Sequence, residues 1–212
     1  DGLLFYNDNE NTKALKNYQE IVAKYPNSSE AKEAVTNAKN VYVDLGTVDE
    51  YAIWVKGISF VNITDAELDK TTYESAENKF LANDIPKAIE GFKKYIQAFP
   101  KGLHALQANF YLAQLLVKTN LEEDAIANYQ YVLALPQSEF SEEALNKLSQ
   151  ILLEKEQWAT AIPLLERLEQ EANLPLNIVY AQSNLMKGYY QSQEYNKAVN
   201  YAEKILLQDK ID

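Results

Sequence analysis

Apolar positions along the chain recur on a ruler of 36 to 37 residues. An alanine follows a short polar break at Ala14, Ala88, Ala125, Ala161 and Ala198, at intervals of 74, 37, 36 and 37. The first interval is twice 37, which predicts a further mark near residue 51, where Tyr51 stands before Ala52. Four residues after the marks come Tyr18, Val55, Phe92, Tyr129, Leu165 and Ala202; seven after come Ile21, Ile58, Tyr95, Val132, Leu168 and Ile205. Residues spaced in this way share one face of an α-helix. A second stripe lies upstream: Ala34, Ala108, Ala144 and Ala181 stand 17 before their marks, Ala38, Leu112, Leu148 and Leu185 stand 13 before, and Tyr42, Leu116, Leu152 and Tyr189 stand nine before. Each unit is therefore a helix A followed by a helix B.

The breaks agree with this division. Pro26, Pro100 and Pro136 each stand eight residues before an alanine of a following A helix, with Ser28, Gly102 or Ser138 two residues after the proline. Proline cannot continue a helix interior, so it separates B from the next A. Thr64 with Glu67 and Thr47 with Glu50 fit the capping box, and Asn120 with Glu123 is a weaker version. The pattern predicts twelve helices, at about 2–7, 11–25, 28–45, 48–56, 64–82, 85–99, 103–118, 121–134, 140–155, 158–172, 176–191 and 195–209, with no strand. Residues 57–63 read as an extended apolar connector packed on its neighbours. Tyr51 takes the place of a small crossing residue and Gly57 stops its helix early, so a kink or splay is expected near 48–63.

Composition narrows the role without naming a partner. Thirty-one acidic against twenty basic side chains give a net charge of −11, which disfavours nucleic acid and anionic membrane, since both need clustered Lys and Arg. Nineteen of the twenty basic residues are lysine, the exception being Arg167. No apolar run approaches a membrane span, so no direct insertion of this segment is expected. Cysteine is absent and His104 is the sole histidine, which leaves no ligand set for a common zinc site. The run Asn7-Asp8-Asn9-Glu10-Asn11 lacks the central glycine and distal glutamate of a calcium loop. Glu122-Glu123-Asp124 and Glu142-Glu143 fall in first helical turns, where the helix dipole favours negative charge. No catalytic residue, cofactor or metal is expected.

The whole pattern resembles the tetratricopeptide repeat (TPR) family. The best local match is GLLFYNDNENTKALKNYQEIVAKYPNS, residues 2–28, with Gly2, Phe5, Ala14, Tyr18 and Pro26 at the family's Gly, Tyr, Ala, aromatic and Pro positions. The resemblance implies an all-α, right-handed α-solenoid of antiparallel helix pairs forming one array. Its units are approximately 1–28, 29–63 (degenerate), 64–101, 102–137, 138–174 and 175–212. The 36–37-residue period exceeds the usual 34. With the YPNS phrasing it resembles TPR proteins of the Gram-negative envelope, which implies a periplasmic or outer-membrane-associated location. The first unit starts partway into its A helix, and Leu206, Leu207 and Ile211 would have no following unit over them. The chain thus reads as a piece of a longer array, able to associate end to end.

The resemblance also implies a concave groove lined by A-helix residues that stand 18, 15, 11 and 8 before each mark. It implies a non-catalytic scaffold that holds a protein or peptide partner there. The candidate contacts are Tyr73, Phe80, Gln107, Phe110, Gln114, Asn146, Gln150, Tyr180, Lys187 and Tyr190. Amides can pair with an extended peptide backbone while rings cover its apolar side chains. An alternative is a carbohydrate-binding helical module of the outer membrane, in which exposed Tyr and Trp stack on sugars, an exposed Trp54 or Trp158 being one sign of it.

Overall fold

The computed structural model of the chain describes residues 1–208, and among these the regular structure is entirely helical. The helices are α1 (Gly2–Asn7), α2 (Asn11–Lys24), α3 (Ser29–Leu45), α4 (Val48–Lys56), α5 (Asp65–Leu81), α6 (Ile85–Ala98), α7 (Ala105–Lys118), α8 (Glu122–Ala134), α9 (Ser141–Glu154), α10 (Trp158–Glu171), α11 (Pro175–Gln191) and α12 (Tyr195–Gln208). They match the ruler's segments to within about two residues at each end; residues 209 and 211 lie outside the described part. The chain divides into two compact units, 1–112 and 113–212, with the division inside α7. Within each unit successive helices pack on one another: α1 on α2 and α5 on α6 in the first, α9 on α10, α10 on α11 and α11 on α12 in the second.

The marks are where helices A and B cross. Ala14, Ala88, Ala125 and Ala161 are fully buried, as are Val55, Phe92 and Leu165 four residues later. A small side chain is needed there because the backbones nearly touch: a Cβ on Gly91 of α6 would sit 2.9 Å from the Cβ of Ala76 on α5. Burying these stripes removes apolar surface from water at roughly 25 cal/mol per Å², a gain that no single pair can collect alone.

All six A-to-B turns share one backbone device. The residue five before each mark is in the left-handed region: Asn9, Gly46, Asn83, Asn120, Glu156 and Gln193, with φ between 55° and 76°. In each turn its N–H and the next one bond back to the end of helix A. Asn120 N–H donates to the Val117 carbonyl at 3.0 Å and Leu121 N–H to the Leu116 carbonyl at 2.8 Å. Glu156 and Gln157 do the same to Leu153 and Leu152. This is the Schellman arrangement, which satisfies carbonyls that the helix end leaves free. Asn120 is therefore part of this turn and not the N-cap of α8, a place held by Leu121. The expected box at Thr47–Glu50 is likewise not formed. Thr47 makes no side-chain cap bond, because its Oγ1 is buried without a partner. The box at Thr64–Glu67 is complete: Glu67 N–H donates to Thr64 Oγ1 and Thr64 N–H to Glu67 Oε2.

Around residue 51 the regular pattern gives way. Tyr51 is buried against Tyr42 and Trp54, ring centroids 5.8 and 6.3 Å away. The connector packs as expected, with Ile58 buried and Phe60, Val61 and Ile63 half-buried against the same core. Because α4 has only nine residues, a cleft of about 630 Å³ opens beside it, lined by Val48, Ala52, Leu68, Ser75, Gly91 and Phe99 among others. α5 carries polar residues where other A helices carry apolar ones. Ser75 Oγ donates to the Val43 carbonyl (2.8 Å) and Lys79 Nζ to the Asp44 carbonyl (2.6 Å), so α5 completes the bonding of the α3 C-terminus.

The turn after α6 is fixed by a buried carboxylate. Asp69 Oδ1 accepts from the Tyr95 hydroxyl (2.6 Å) and Oδ2 from Leu103 N–H (2.8 Å). The Tyr95 oxygen in turn accepts from His104 N–H at 2.9 Å. Gly102 is required beneath this network, since a Cβ there would meet Tyr95 Oη at 2.5 Å and Asp69 Oδ2 at 2.6 Å.

Candidate partner-binding surface

In the first unit the ring-bearing candidates are used for packing. Tyr73 on α5 is buried, stacked on His104 (centroids 4.2 Å apart) and edge-on to Tyr95 (5.6 Å), with its hydroxyl donating to Glu77 at 3.0 Å. Burial, then the Glu77 carboxylate, pushes its hydroxyl well above the ordinary tyrosine range. Phe110 on α7 is buried next to Tyr111, and Phe80 is half-buried, stacked on Tyr111 at 4.9 Å. Gln107 is half-buried, and its Oε1 has no partner. Tyr73 and Phe110 occupy the same ruler position as Asn146 and Ser183, which stay half-buried. A ring there gains more by folding into the helix seam than by standing in the open. These two positions are therefore core, not lining.

The second unit brings its amides together. Gln114 Nε2 on α7 donates to Glu143 Oε1 on α9 (2.8 Å). One turn on, Gln150 Nε2 donates to Asn146 Oδ1 (2.6 Å), and Asn146 Nδ2 donates to Asn177 Oδ1 on α11 (2.7 Å). Asn177 Nδ2 then reaches Glu142 Oε1 (2.7 Å). The amides form a ladder from one A helix to the next, so their orientation is set before any partner arrives. Beyond the ladder stand half-buried Tyr180, whose hydroxyl is raised by burial, and exposed Lys187 and Tyr190. Tyr190 meets Tyr195 edge-on at 5.6 Å.

Glu142 has a larger role than a first-turn charge. Its two oxygens accept from Asn173 N–H (2.9 Å) and Leu174 N–H (3.0 Å), so it caps α11 from the preceding A helix. Partial burial works against its ionisation, but the bonds from Asn173, Asn177 and Leu174 outweigh it and hold the carboxyl below its ordinary value. Arg167 also acts between helices. Its Nη1 donates to the Leu133 carbonyl at the end of α8 (3.1 Å) while Nε and Nη2 hold Glu171. Sequence spacing gave no sign of either link, because both partners lie more than thirty residues away. Among the described residues no group of three or more His, Cys, Asp and Glu could hold a metal ion. Both tryptophans are half-buried: Trp54 lies against Tyr42 and Tyr51, and Trp158 against Gly188.

Residues 2–28, comprising α1, α2 and the turn after them, match the family described as Tetratricopeptide repeat. The small-residue crossing recurs at Ala88, Ala125, Ala161 and Ala198, with Tyr51 the exception, and the same left-handed turn precedes every later mark. The match to this family covers the first helix pair, and the later pairs repeat its spacing. Solved structures with similar helix order include BtubC from P. vanneervenii, at 13% identity, covering 92% of this chain and 87% of that one with a TM-score of 0.48. A putative kinesin light chain from Podosopora anserina with nearly identical TPR-like repeats has 16% identity, coverage of 93% and 96%, and a TM-score of 0.49. YrrB, described as a TPR protein with an unusual peptide-binding site, has 14% identity, coverage of 89% and 90%, and a TM-score of 0.49. No curated protein matches the sequence. No helix among the described residues is long and apolar enough to cross a membrane.

Proposed function

We propose that the second unit binds an extended peptide segment of a partner protein along its A-helix row, without catalysis. The amide ladder Gln114–Glu143 and Gln150–Asn146–Asn177 carries this reading. Side chains already locked in place lose little conformational freedom when a peptide backbone pairs with their remaining donors and acceptors. Tyr180, Lys187 and Tyr190 follow in the same row, where rings and a cation suit apolar and acidic side chains of the peptide. The same reading places the protein in the bacterial cell envelope, a proposal supported by the long repeat period and the YPNS phrase and tested by cell fractionation.

The test uses peptide-library selection on the 212-residue chain, followed by calorimetry on a selected peptide. Gln150→Ala and Tyr180→Ala are each expected to weaken binding by about tenfold or more, with unchanged helicity by circular dichroism. Phe110→Ala is unsuitable as a groove variant, because that ring is core. Selection of peptides whose affinity ignores both substitutions would remove the row from the argument.

A further inference from the structure

Three ruler positions recur where one helix pair joins the next: eight after the mark on a B helix, sixteen before the next mark on the following A helix, and three after that mark on its B helix. At the α10–α11–α12 junction they hold Glu169, Gln182 and Tyr201. Glu169 Oε1 accepts from Gln182 Nε2 (3.0 Å) and from Lys204 Nζ, and its Oε2 accepts from the Tyr201 hydroxyl (2.8 Å). A carboxylate, a ring and a cation thus fill that junction. Apolar side chains stand at these positions in two others: Val22, Val35 and Trp54 at α2–α3–α4, and Leu133, Leu145 and Leu164 at α8–α9–α10, all buried except half-buried Trp54 and Leu164.

At the α4–α5–α6 junction, inside the first unit, the same positions hold Ser59, Thr72 and Gly91. α4 ends at Lys56, and Ser59 beyond it is exposed. Gly91 has no room for a ring, because even a Cβ would lie 2.9 Å from the Cβ of Ala76. What remains is the cleft of about 630 Å³, whose lining includes Thr72, Gly91 and Lys94, the counterparts of Gln182, Tyr201 and Lys204. The cation is kept while its carboxylate and ring are gone. Lys94 Nζ meets Glu90 at 3.0 Å, but both side chains are largely exposed, and such a surface pair is readily exchanged for another. Lys56, in the last turn of α4, adds a second cation to the lining. The lining's two acids, Asp49 and Asp65, stand in first turns, where the helix dipole offsets their charge. Thr72 Oγ1 donates to the Leu68 carbonyl (2.7 Å) and Ser75 Oγ to the Val43 carbonyl (2.8 Å), so neither hydroxyl proton of the floor is free to pair with a peptide backbone.

We propose that this cleft binds a small molecule carrying an aromatic ring and a carboxylate, with the ring over Gly91 and the carboxylate on Lys94. The ligand brings from outside what Tyr201 and Glu169 supply from within at the α10–α11–α12 junction. The volume lies inside the range of about 300–1,000 Å³ typical of small-molecule sites. The site belongs to the first unit and is independent of the peptide row in the second.

The test is a titration of the isotope-labelled 212-residue chain with para-hydroxyphenylpropionate, followed amide by amide by NMR. The amides of Thr72, Gly91 and Lys94 are expected to shift, with a dissociation constant of about 1 mM or tighter. Lys94→Met is expected to weaken binding by about threefold to tenfold. Ala98→Trp places a ring in the cleft from an exposed lining position and is expected to abolish it. Circular dichroism checks that both variants are folded. The corresponding propanamide, which has no charge, and hexanoate, which has no ring, are each expected to bind more weakly than the acid. No shift of these amides up to about 20 mM overturns the proposal, as does equal binding of the propanamide, a Lys94→Met variant that binds like wild type, or shifts that survive Ala98→Trp. Tighter binding of the peptide acetyl-Ala-Glu-Ala-Ala-Tyr-amide would overturn it in favour of a polypeptide occupant. The same shifts on raising the protein concentration alone would overturn it in favour of a second copy.

Discussion

Removing the carboxylate of Asp69 tests how the first unit is held together. In Asp69→Ala two donors inside the fold, the Tyr95 hydroxyl and Leu103 N–H, lose their acceptor. Hydrogen bonds to a charged group contribute about 1.5–3 kcal/mol each. Against that stands the relief of no longer burying a carboxylate, itself worth several kcal/mol. The two bonds together set the loss at about 3–6 kcal/mol and the relief offsets about half of it, which leaves a net cost of about 1–3 kcal/mol. Tyr95→Phe removes one of the same bonds and leaves His104 N–H without its acceptor, for about 1–3 kcal/mol. The two changes share an interaction, so the double variant is expected to fall short of their sum by about 1–2 kcal/mol. Gly102→Ala adds an independent check. Its cost comes from crowding Tyr95 Oη, Asp69 Oδ2 and Phe99 Cβ, so it should shrink in part when the two oxygens are removed, leaving the share due to Phe99. The assay is urea unfolding followed by fluorescence in a Trp158→Phe background, where Trp54 reports on the first unit alone. A local probe is needed because repeat arrays depart from all-or-none unfolding. An Asp69→Ala variant within about 0.5 kcal/mol of its parent, or single costs that add without remainder, would refute the reasoning.

Three further outcomes follow from named contacts. Glu142 has a lowered carboxyl in the folded state, so its contribution is complete above its ordinary value of 4.5 and is lost as pH falls through the lowered one; Glu142→Gln should flatten that acid limb of the stability–pH curve. Glu156 holds a left-handed backbone that costs a side chain with a Cβ about 1 kcal/mol, and Glu156→Asn should raise the unfolding free energy by about 0.5 kcal/mol in a denaturant titration. Arg167→Lys should cost about 1 kcal/mol by the same measurement, because a point charge cannot serve the Leu133 carbonyl and Glu171 together.

The helices were legible because burial imposes a period on the chain, and Ala14 through Ala198 record it without reference to any partner. The left-handed turns were half-legible. Asn9, Asn83 and Asn120 are residues that tolerate the conformation, but Glu156 and Gln193 are not, and no composition rule marks them. The groove was legible only as a row. That Tyr73 would turn inward while Asn146 stays at the edge depends on how much space the facing B helix leaves, which Phe92 and Tyr95 decide from twenty residues away. The cap that Glu142 places on α11 was illegible for the same reason, since a side chain's reach across 31 residues has no signature in local spacing.

The six A-to-B turns are copies of one hydrogen-bonded form, whereas the five B-to-A connections, 25–28, 57–64, 99–104, 135–140 and 172–174, differ in length and in what secures them. The helix pairs thus share one closing turn, whereas each connection is secured by contacts of its own: a Pro26-Asn27-Ser28 bend, an apolar strap, the Asp69 carboxylate, a serine pair at Ser138 and Ser141, and the Glu142 cap. A substitution that repairs or spoils one A-to-B turn is therefore transferable to the other five, while a lesson learned at one connection stays there.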